Sequence, residues 1–469
     1  MSYTLKIQPK ANNIIRDAEA YIQGKHNVIS QFNSLEELVV SGEGKLDEKT
    51  YRGLMFHMLS IRSNVVNVLW KNEIYIGVSI IDDLVFQFSK SSPGRIYQEI
   101  FSFLSISNAE KSGFILYPLH GFGVEKSPMF TNDAEIKPFL HFKELGVCLS
   151  PQSNNLESAI KRVSEMARKL GVVGKIDPSD LTHHVLAGNM DWFKCNPLMM
   201  VRIASHTGAY YENQFIYTLK IRIAAALVAM LYALGAERGY QVDKFYSSAN
   251  VNNWETLDFR HYVIGEARSK KSELLDLRRI PMNVSALDLA RLSDLPVVLS
   301  SKTLKQAFLK SALRRIVLAL RVVESGHLSH VNLNSKDKVR GRVFSRIVTA
   351  LDWYRQSFSA RVTDDEAVVA LAVAFETLLT DYYSPGVSAR IQRRVRICLK
   401  GRHGIAEYLA AVISIMKARG AIVHNGSSVQ EAEIIKAQAA FALCFGAVTD
   451  KLQNIGSSID NPIGVLLGD

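Results

Sequence analysis

The chain has 469 residues, 48% hydrophobic and 22% charged, enough for two or three globular domains with sizeable cores. Its four cysteines (Cys148, Cys195, Cys398 and Cys444) form no C-x-x-C pair, which excludes a disulfide scaffold and a thiolate zinc site. With 56 Lys and Arg against 45 Asp and Glu it carries a net +11 and a pI near 9.3, pointing towards a polyanionic partner.

In chain order, residues 12–31 and 48–69 have apolar spacing near that of a helix. Residues 73–88 are rich in Ile and Val and read as two short strands turning at Asp82-Asp83. Ser92-Pro93-Gly94 opens a helix that runs to about 104, and 113–124 reads as a strand ending in a loop. An amphipathic helix spans 155–170, with Ile160, Val163, Met166 and Leu170 on one face, and His183-His184 falls in a surface loop after Pro178. A long Ala-rich helix covers 217–238, and 257–264 alternates as a strand. Between 278 and 299 a short helix (286–292) precedes a strand-like end (295–299).

From about 303 the pattern is all helical. A basic helix occupies 304–324, a polar linker or exposed loop 325–338, and a second helix 339–359. Thr363 followed by Glu366 is a capping box opening a helix to Tyr383, and Ser384-Pro385-Gly386 ends it. Helices follow over 387–399, 405–418 and 429–453. The fold class expected is mainly α: a mixed α+β region over 1–150, a helix-rich regulatory or sensor region over 151–335, and a helical bundle over 336–469.

No apolar leader is visible after Met1, and the longest apolar run, 223–236, has 14 residues, too short to span a bilayer. These features point to a soluble, cytoplasmic protein with no membrane partner. There is no Walker loop, no H-E-x-x-H and no G-x-S-x-G, and neither a metal nor a cofactor is expected. His327-x-x-His330 lacks an acidic partner at useful spacing and reads as polar loop.

The charge is unevenly spread. Residues 1–300 hold 33 basic and 31 acidic side chains, 301–419 hold 21 and 9, and 420–469 hold 2 and 5. Essentially all of the excess therefore lies in the middle stretch, the footprint of a polyanion-binding surface. Its densest part, Arg390, Arg393, Arg394, Arg396, Lys400 and Arg402, reads as RNA-binding through phosphate contacts that carry no sequence information. Arg393 and Arg396 share one helix face, Arg390 and Arg394 a neighbouring one.

That stretch ends on Arg419-Gly420-Ala421-Ile422-Val423-His424-Asn425-Gly426. Five residues separate Arg419 from His424 by about 140° on an ideal helix, so they converge within one chain only if the helix ends or kinks between them. Gly420 is expected to loosen the last turn and Asn425-Gly426 to stop it, leaving a histidine where the helix dipole favours an imidazolium. A guanidinium fork that grips phosphate oxygens, beside an imidazole that moves protons, suits phosphodiester cleavage. The apolar face of Ala406, Leu409, Ala410, Ile413 and Met416 reads equally as core or as a dimer seam.

Arg419-x4-His424 followed by Asn-Gly, behind the stretches 343–358 and 364–379, resembles the HEPN superfamily (higher eukaryotes and prokaryotes nucleotide-binding). The nearest likeness within it is the Apea-like group of bacterial anti-phage proteins. The resemblance covers roughly the last 130 residues and implies a metal-independent endoribonuclease in which Arg and His from two domains meet across a homodimer. It implies that Arg419 stabilises the pentavalent phosphate and that His424 is the general acid/base, with Glu376 and Asn425 supporting them and Glu376 orienting Arg419 from a facing helix. It further implies an anti-phage or toxin-like effector, restrained by an inhibitor or released by a phage-derived activator. The chain departs from the pattern at Gly420, where active members often carry a polar residue, and the alternative reading is a non-catalytic RNA- or nucleotide-binding adaptor.

Overall fold

The computed structural model describes residues 9–71, 76, 78–107, 113–118, 155–172, 174–188, 190, 192–195, 198–203, 210–237, 261–267, 274–281, 306–332, 337–358, 364–382, 385–426, 433–455 and 461–469. The described residues are mainly helical. Six helices come first: α1 (Asn13–Gly24), α2 (His26–Ile29), α3 (Leu35–Lys45), α4 (Glu48–Lys71), α5 (Val78–Ser91) and α6 (Ile96–Ser107). Asn12 caps α1 by accepting from the Ile15 N–H at 3.0 Å, and Ser34 caps α3 from Glu37 at 3.1 Å.

Residues 78–88 are helical, not the strands their Ile and Val content suggests. Ile81, Leu84, Val85 and Phe88 recur at three- and four-residue spacing, and all pack into the core. Asp82, the expected turn residue, sits mid-helix and faces Arg62 of α4 at 3.4 Å. The described part of 73–88 therefore contributes no strand.

A four-stranded sheet follows, built from β1 (Gly113–Pro118), β2 (Leu198–Ile203), β3 (His261–Ala267) and β4 (Leu275–Pro281) in the order β2-β1-β3-β4, every pair antiparallel. β1 shows the two-residue strand period: Phe114 and Leu116 face a smaller core with α7 (Leu156–Lys169) and α8 (Pro178–Ala187), whereas Ile115 joins the main helical core. α8 carries His183 and His184 on a helix rather than in a loop, started by Asp177 and by Pro178 in the first turn. The strand expected at 257–264 is present in its described part, 261–264, and runs on to Ala267; the helix expected at 286–292 and the strand-like end at 295–299 lie outside the described residues.

After the short α9 (Trp192–Cys195), α10 (Tyr210–Glu237) runs through the main core, with 223–231 buried throughout. It packs against α11 (Ala307–His327), α12 (Lys338–Gln356) and α16 (Ile434–Thr449), and α13 (Asp364–Leu379), α14 (Val387–Leu399), α15 (Ile405–Asn425) and α17 (Pro462–Leu467) extend the same core beyond them. Aromatic packing joins three of them: the Tyr354 ring stacks on Phe441 at 4.3 Å and Phe375 meets Phe441 edge-on at 5.4 Å. Tyr354 donates to the Gln438 carbonyl, and Gln438 donates back to the Ser357 carbonyl at 2.9 Å, so the buried polar groups close on each other. Asp352 of α12 holds Arg355 at 2.6 Å and Arg222 of α10 at 3.6 Å, a partly buried ion network between these helices.

The segment expected as an exposed loop from 325 onwards is helical to His327 and then forms a π-helical turn, Leu328–Asn332. Packing explains it. Leu328 is buried, the His330 ring stacks on Phe344 at 5.6 Å, and Gly326 lies directly under the same Phe344 ring. Gly326→Ala places a methyl group inside that ring's volume, and the expected result is a loss of about 1–3 kcal/mol in urea unfolding.

Candidate RNA-cleaving site

The candidate site stands at the end of α15. Gly404, in the left-handed conformation (φ 77°), starts this helix, and Tyr408, Leu409, Ala411, Val412, Ile415 and Met416 anchor it in the core. The face left undecided between core and dimer seam thus divides: Leu409 and Met416 are buried, Ile413 is half-buried, and Ala406 and Ala410 are exposed. Residues 418–422 are half-buried, and from Val423 to Gly426 every residue is exposed, so only the last turn is free of the bundle.

The expected break at Gly420 does not occur. Helix geometry continues through it to Asn425, supported by Ala418 and Ile422 packing against the core. The stop is Gly426, at φ 62°, whose N–H donates to the Ile422 carbonyl at 3.1 Å. Arg419 and His424 of one chain therefore diverge by about 140° around a continuous helix. His424 and Asn425 are exposed, and Val423 beside them presents an apolar side chain that is 52% exposed.

Arg419 is half-buried, and its Nη2 lies 3.9 Å from Glu376 Oε1 on α13, the facing helix. That separation is an ion pair longer than a hydrogen bond, and it aims the guanidinium while leaving donors for a ligand. Arg419 Nε is buried and has no hydrogen-bond partner.

The basic run is not one surface. Arg393 and Arg396 are exposed, though Arg393 is ion-paired with Asp469, which raises its pKa further. Arg390 is half-buried, its guanidinium 5.8 Å from the Tyr382 ring centroid. Arg394 is only 2% exposed, which takes it off the proposed RNA-binding surface. It donates from Nε to Asp469 at 2.7 Å and from Nη1 to the Leu379 carbonyl at 2.6 Å, with Asp381 at 3.4 Å. Asp381 in turn accepts the N–H groups of Ile463 and Gly464 at the start of α17. Arg394 is thus a strut tying α13, α14 and α17 together, and a Cβ at Gly464 would displace the Arg394 and Asn461 side-chain ends.

Lys400 and Arg402 lie in the turn that precedes α15, at the opposite end of that helix from Arg419 and His424. Twenty-one residues make α15 about 30 Å long, so these cations cannot touch the phosphate that His424 would cleave. Arg402 is half-buried, and burial first, then the like charge of Arg315, weaken its charged form; Arg315 of α11 is itself ion-paired with Asp450 just after α16.

Thr363 and Ser384, the expected cap and stop residues, lie outside the described residues. Among the described residues no group of three or more His, Cys, Asp or Glu side chains is placed to hold a metal, and no helix is long and apolar enough to cross a membrane. The chain finds no match among protein-family models, curated proteins or solved structures, so the geometry of Arg419, Glu376 and His424 is what guides its functional assignment.

Proposed function

We propose that this protein is a metal-independent endoribonuclease of the HEPN type, acting in the cytoplasm as a homodimeric anti-phage or toxin-like effector. The observation that carries this reading is the pairing of half-buried Arg419 with Glu376 near the end of α15, about 1.4 turns before an exposed His424.

The chemistry follows from these groups. The guanidinium of Arg419 holds the non-bridging oxygens of a phosphodiester and offsets the charge that builds on them. A His424 imidazole takes the proton of the ribose 2′-hydroxyl, whose oxygen attacks phosphorus. The bond to the 5′ oxygen breaks, and an imidazolium returns a proton to that leaving group. The products are a 2′,3′-cyclic phosphate and a 5′-hydroxyl, and no metal takes part.

Because Arg419 and His424 of one chain point apart, one phosphate is served by both only when two chains bring their α15 ends together. Val423, apolar and exposed beside His424, suits burial between such ends. Residues upstream of the bundle act in this reading as the part that senses a trigger or holds an inhibitor.

The divergence within a chain also favours a second reading, an adaptor that binds RNA or a nucleotide without cutting it. Incubating purified protein with RNA in EDTA separates the two. Cleavage that leaves 2′,3′-cyclic phosphate ends supports the ribonuclease; salt-dependent binding with intact RNA supports the adaptor.

A further inference from the structure

The chain leaving α13 is held by α12, α14 and α17. Arg394 donates to the Leu379 carbonyl at 2.6 Å and Arg346 of α12 to the Thr380 carbonyl at 2.9 Å, so arginines satisfy the acceptors at this helix end. Asp381 is buried and accepts the N–H groups of Ile463 at 2.8 Å and Gly464 at 3.1 Å. The next residue, Tyr382, is 55% exposed, whereas Tyr354 and Tyr408 of the bundle are buried. A large aromatic side chain therefore stands in solvent on a backbone that is anchored beside it.

The surroundings of this ring are cationic. The Arg390 guanidinium of α14 lies 5.8 Å from the ring centroid, within cation–π range. Arg393, one turn further along α14, is exposed and paired with Asp469. The nearby carboxylates are already engaged, since Asp381 and Asp469 both bind Arg394. The ring also stands near the candidate cleavage site. The Thr380 N–H donates to the Glu376 carbonyl at 3.1 Å, so helical geometry carries the chain about 6 Å from Glu376 to Thr380. Two further residues add at most about 7 Å. The Tyr382 α-carbon thus lies within about 13 Å of that of Glu376, whose carboxylate pairs with Arg419.

We propose that Tyr382 is a stacking platform for an unpaired base of RNA, with Arg390 and Arg393 beside it for backbone phosphates of the same strand. An aromatic face accepts any base, and adjoining guanidiniums follow the phosphates without reading sequence. A strand with one phosphate at Arg419 passes Tyr382 within a few nucleotides. Stacking costs the ring little freedom, because its backbone is anchored and its side chain has only two torsions. The proposal rests on the RNA-binding reading and adds an unpaired base to what is recognised.

The test uses the full-length protein with a fluorescent single-stranded 2′-O-methyl oligoribonucleotide, which cannot be cleaved by 2′-oxygen attack, an abasic strand of the same length, and AMP. Affinities are measured over a salt series for wild type, Tyr382→Ala, Tyr382→Phe and Tyr382→Trp, with thermal melting to verify folding. Stacking predicts that Tyr382→Ala weakens oligonucleotide binding about tenfold at an unchanged slope of log K against log salt, since no phosphate contact is lost. Tyr382→Phe and Tyr382→Trp retain the affinity, and the abasic strand binds wild type and Tyr382→Ala alike. Unchanged oligonucleotide affinity in folded Tyr382→Ala overturns the proposal while RNA binding itself stands. So does a loss that is equal for the abasic strand or that lowers the salt slope, because either traces to phosphate contacts. A loss seen with AMP alone assigns the ring to a free nucleotide and overturns the assignment to RNA. A wild type that binds neither strand overturns the RNA-binding reading and the platform together.

Discussion

His424→Ala is expected to lower metal-independent RNA cleavage by about 10²–10⁴-fold in single-turnover assays, the usual contribution of a positioned acid/base group. RNA binding should change little, because the lost group is a proton carrier rather than the main phosphate ligand. Folding should be unaffected: His424 is exposed, and the helix end is set by Gly426 rather than by the imidazole. Arg419→Ala should lose cleavage to a similar degree and weaken binding as well, since its guanidinium contacts the phosphate in ground and transition states alike. An inactive His424→Ala that melts with the wild type separates chemistry from stability. A variant that cuts as well as wild type removes His424 from the mechanism.

Arg394→Met is expected to have the largest effect on stability, about 3–5 kcal/mol in urea unfolding. The cost arises because the substitution leaves Asp381 and Asp469 without the buried guanidinium that now binds both. The Leu379 carbonyl also loses its donor. Acid should act on the same strut. Hydrogen bonding and charge from Arg393, then Arg394, hold the Asp469 carboxyl below the ordinary aspartate range. A carboxyl whose pKa is lower folded than unfolded stabilises the fold at neutral pH, and that contribution fades as pH falls through about 4 and below. Unfolding midpoints measured from neutral pH down to that range should therefore fall less steeply in Arg394→Met than in wild type.

The helices of the bundle were readable where local chemistry marks their ends. The range 387–399 matches α14 at both limits, because Gly386 starts it in the left-handed conformation and the Lys400-Gly401 turn ends it. For α15 the end was misplaced. An internal glycine costs about 1 kcal/mol relative to alanine, yet the packing of Ala418 and Ile422 keeps the helix intact past Gly420. The error over 78–88 came from residue type outweighing period, since Ile and Val at helical spacing form a helix when a core awaits them.

The site divides in the same way. The Arg419–Glu376 pairing was implied by the resemblance alone, and the side chains lie 3.9 Å apart. The inward turn of Arg394 was not, because its partners stand far along the chain, Asp469 being 75 positions away. Nor does any local pattern join Arg315 to Asp450. Long-range pairing of charges is a property of the packed bundle, and a basic run in sequence says only that cations are near one another.

The most direct measurement mixes two inactive proteins. Arg419→Ala and His424→Ala are each purified, combined under conditions that exchange subunits, and assayed on RNA in EDTA. A mixed dimer carries one intact Arg419 and one intact His424 on different chains, so a site assembled from two α15 ends regains cleavage in the mixture while neither parent cuts. A mixture as inactive as its parents, beside a wild-type protein that cleaves and subunits shown to have exchanged, contradicts the two-chain site.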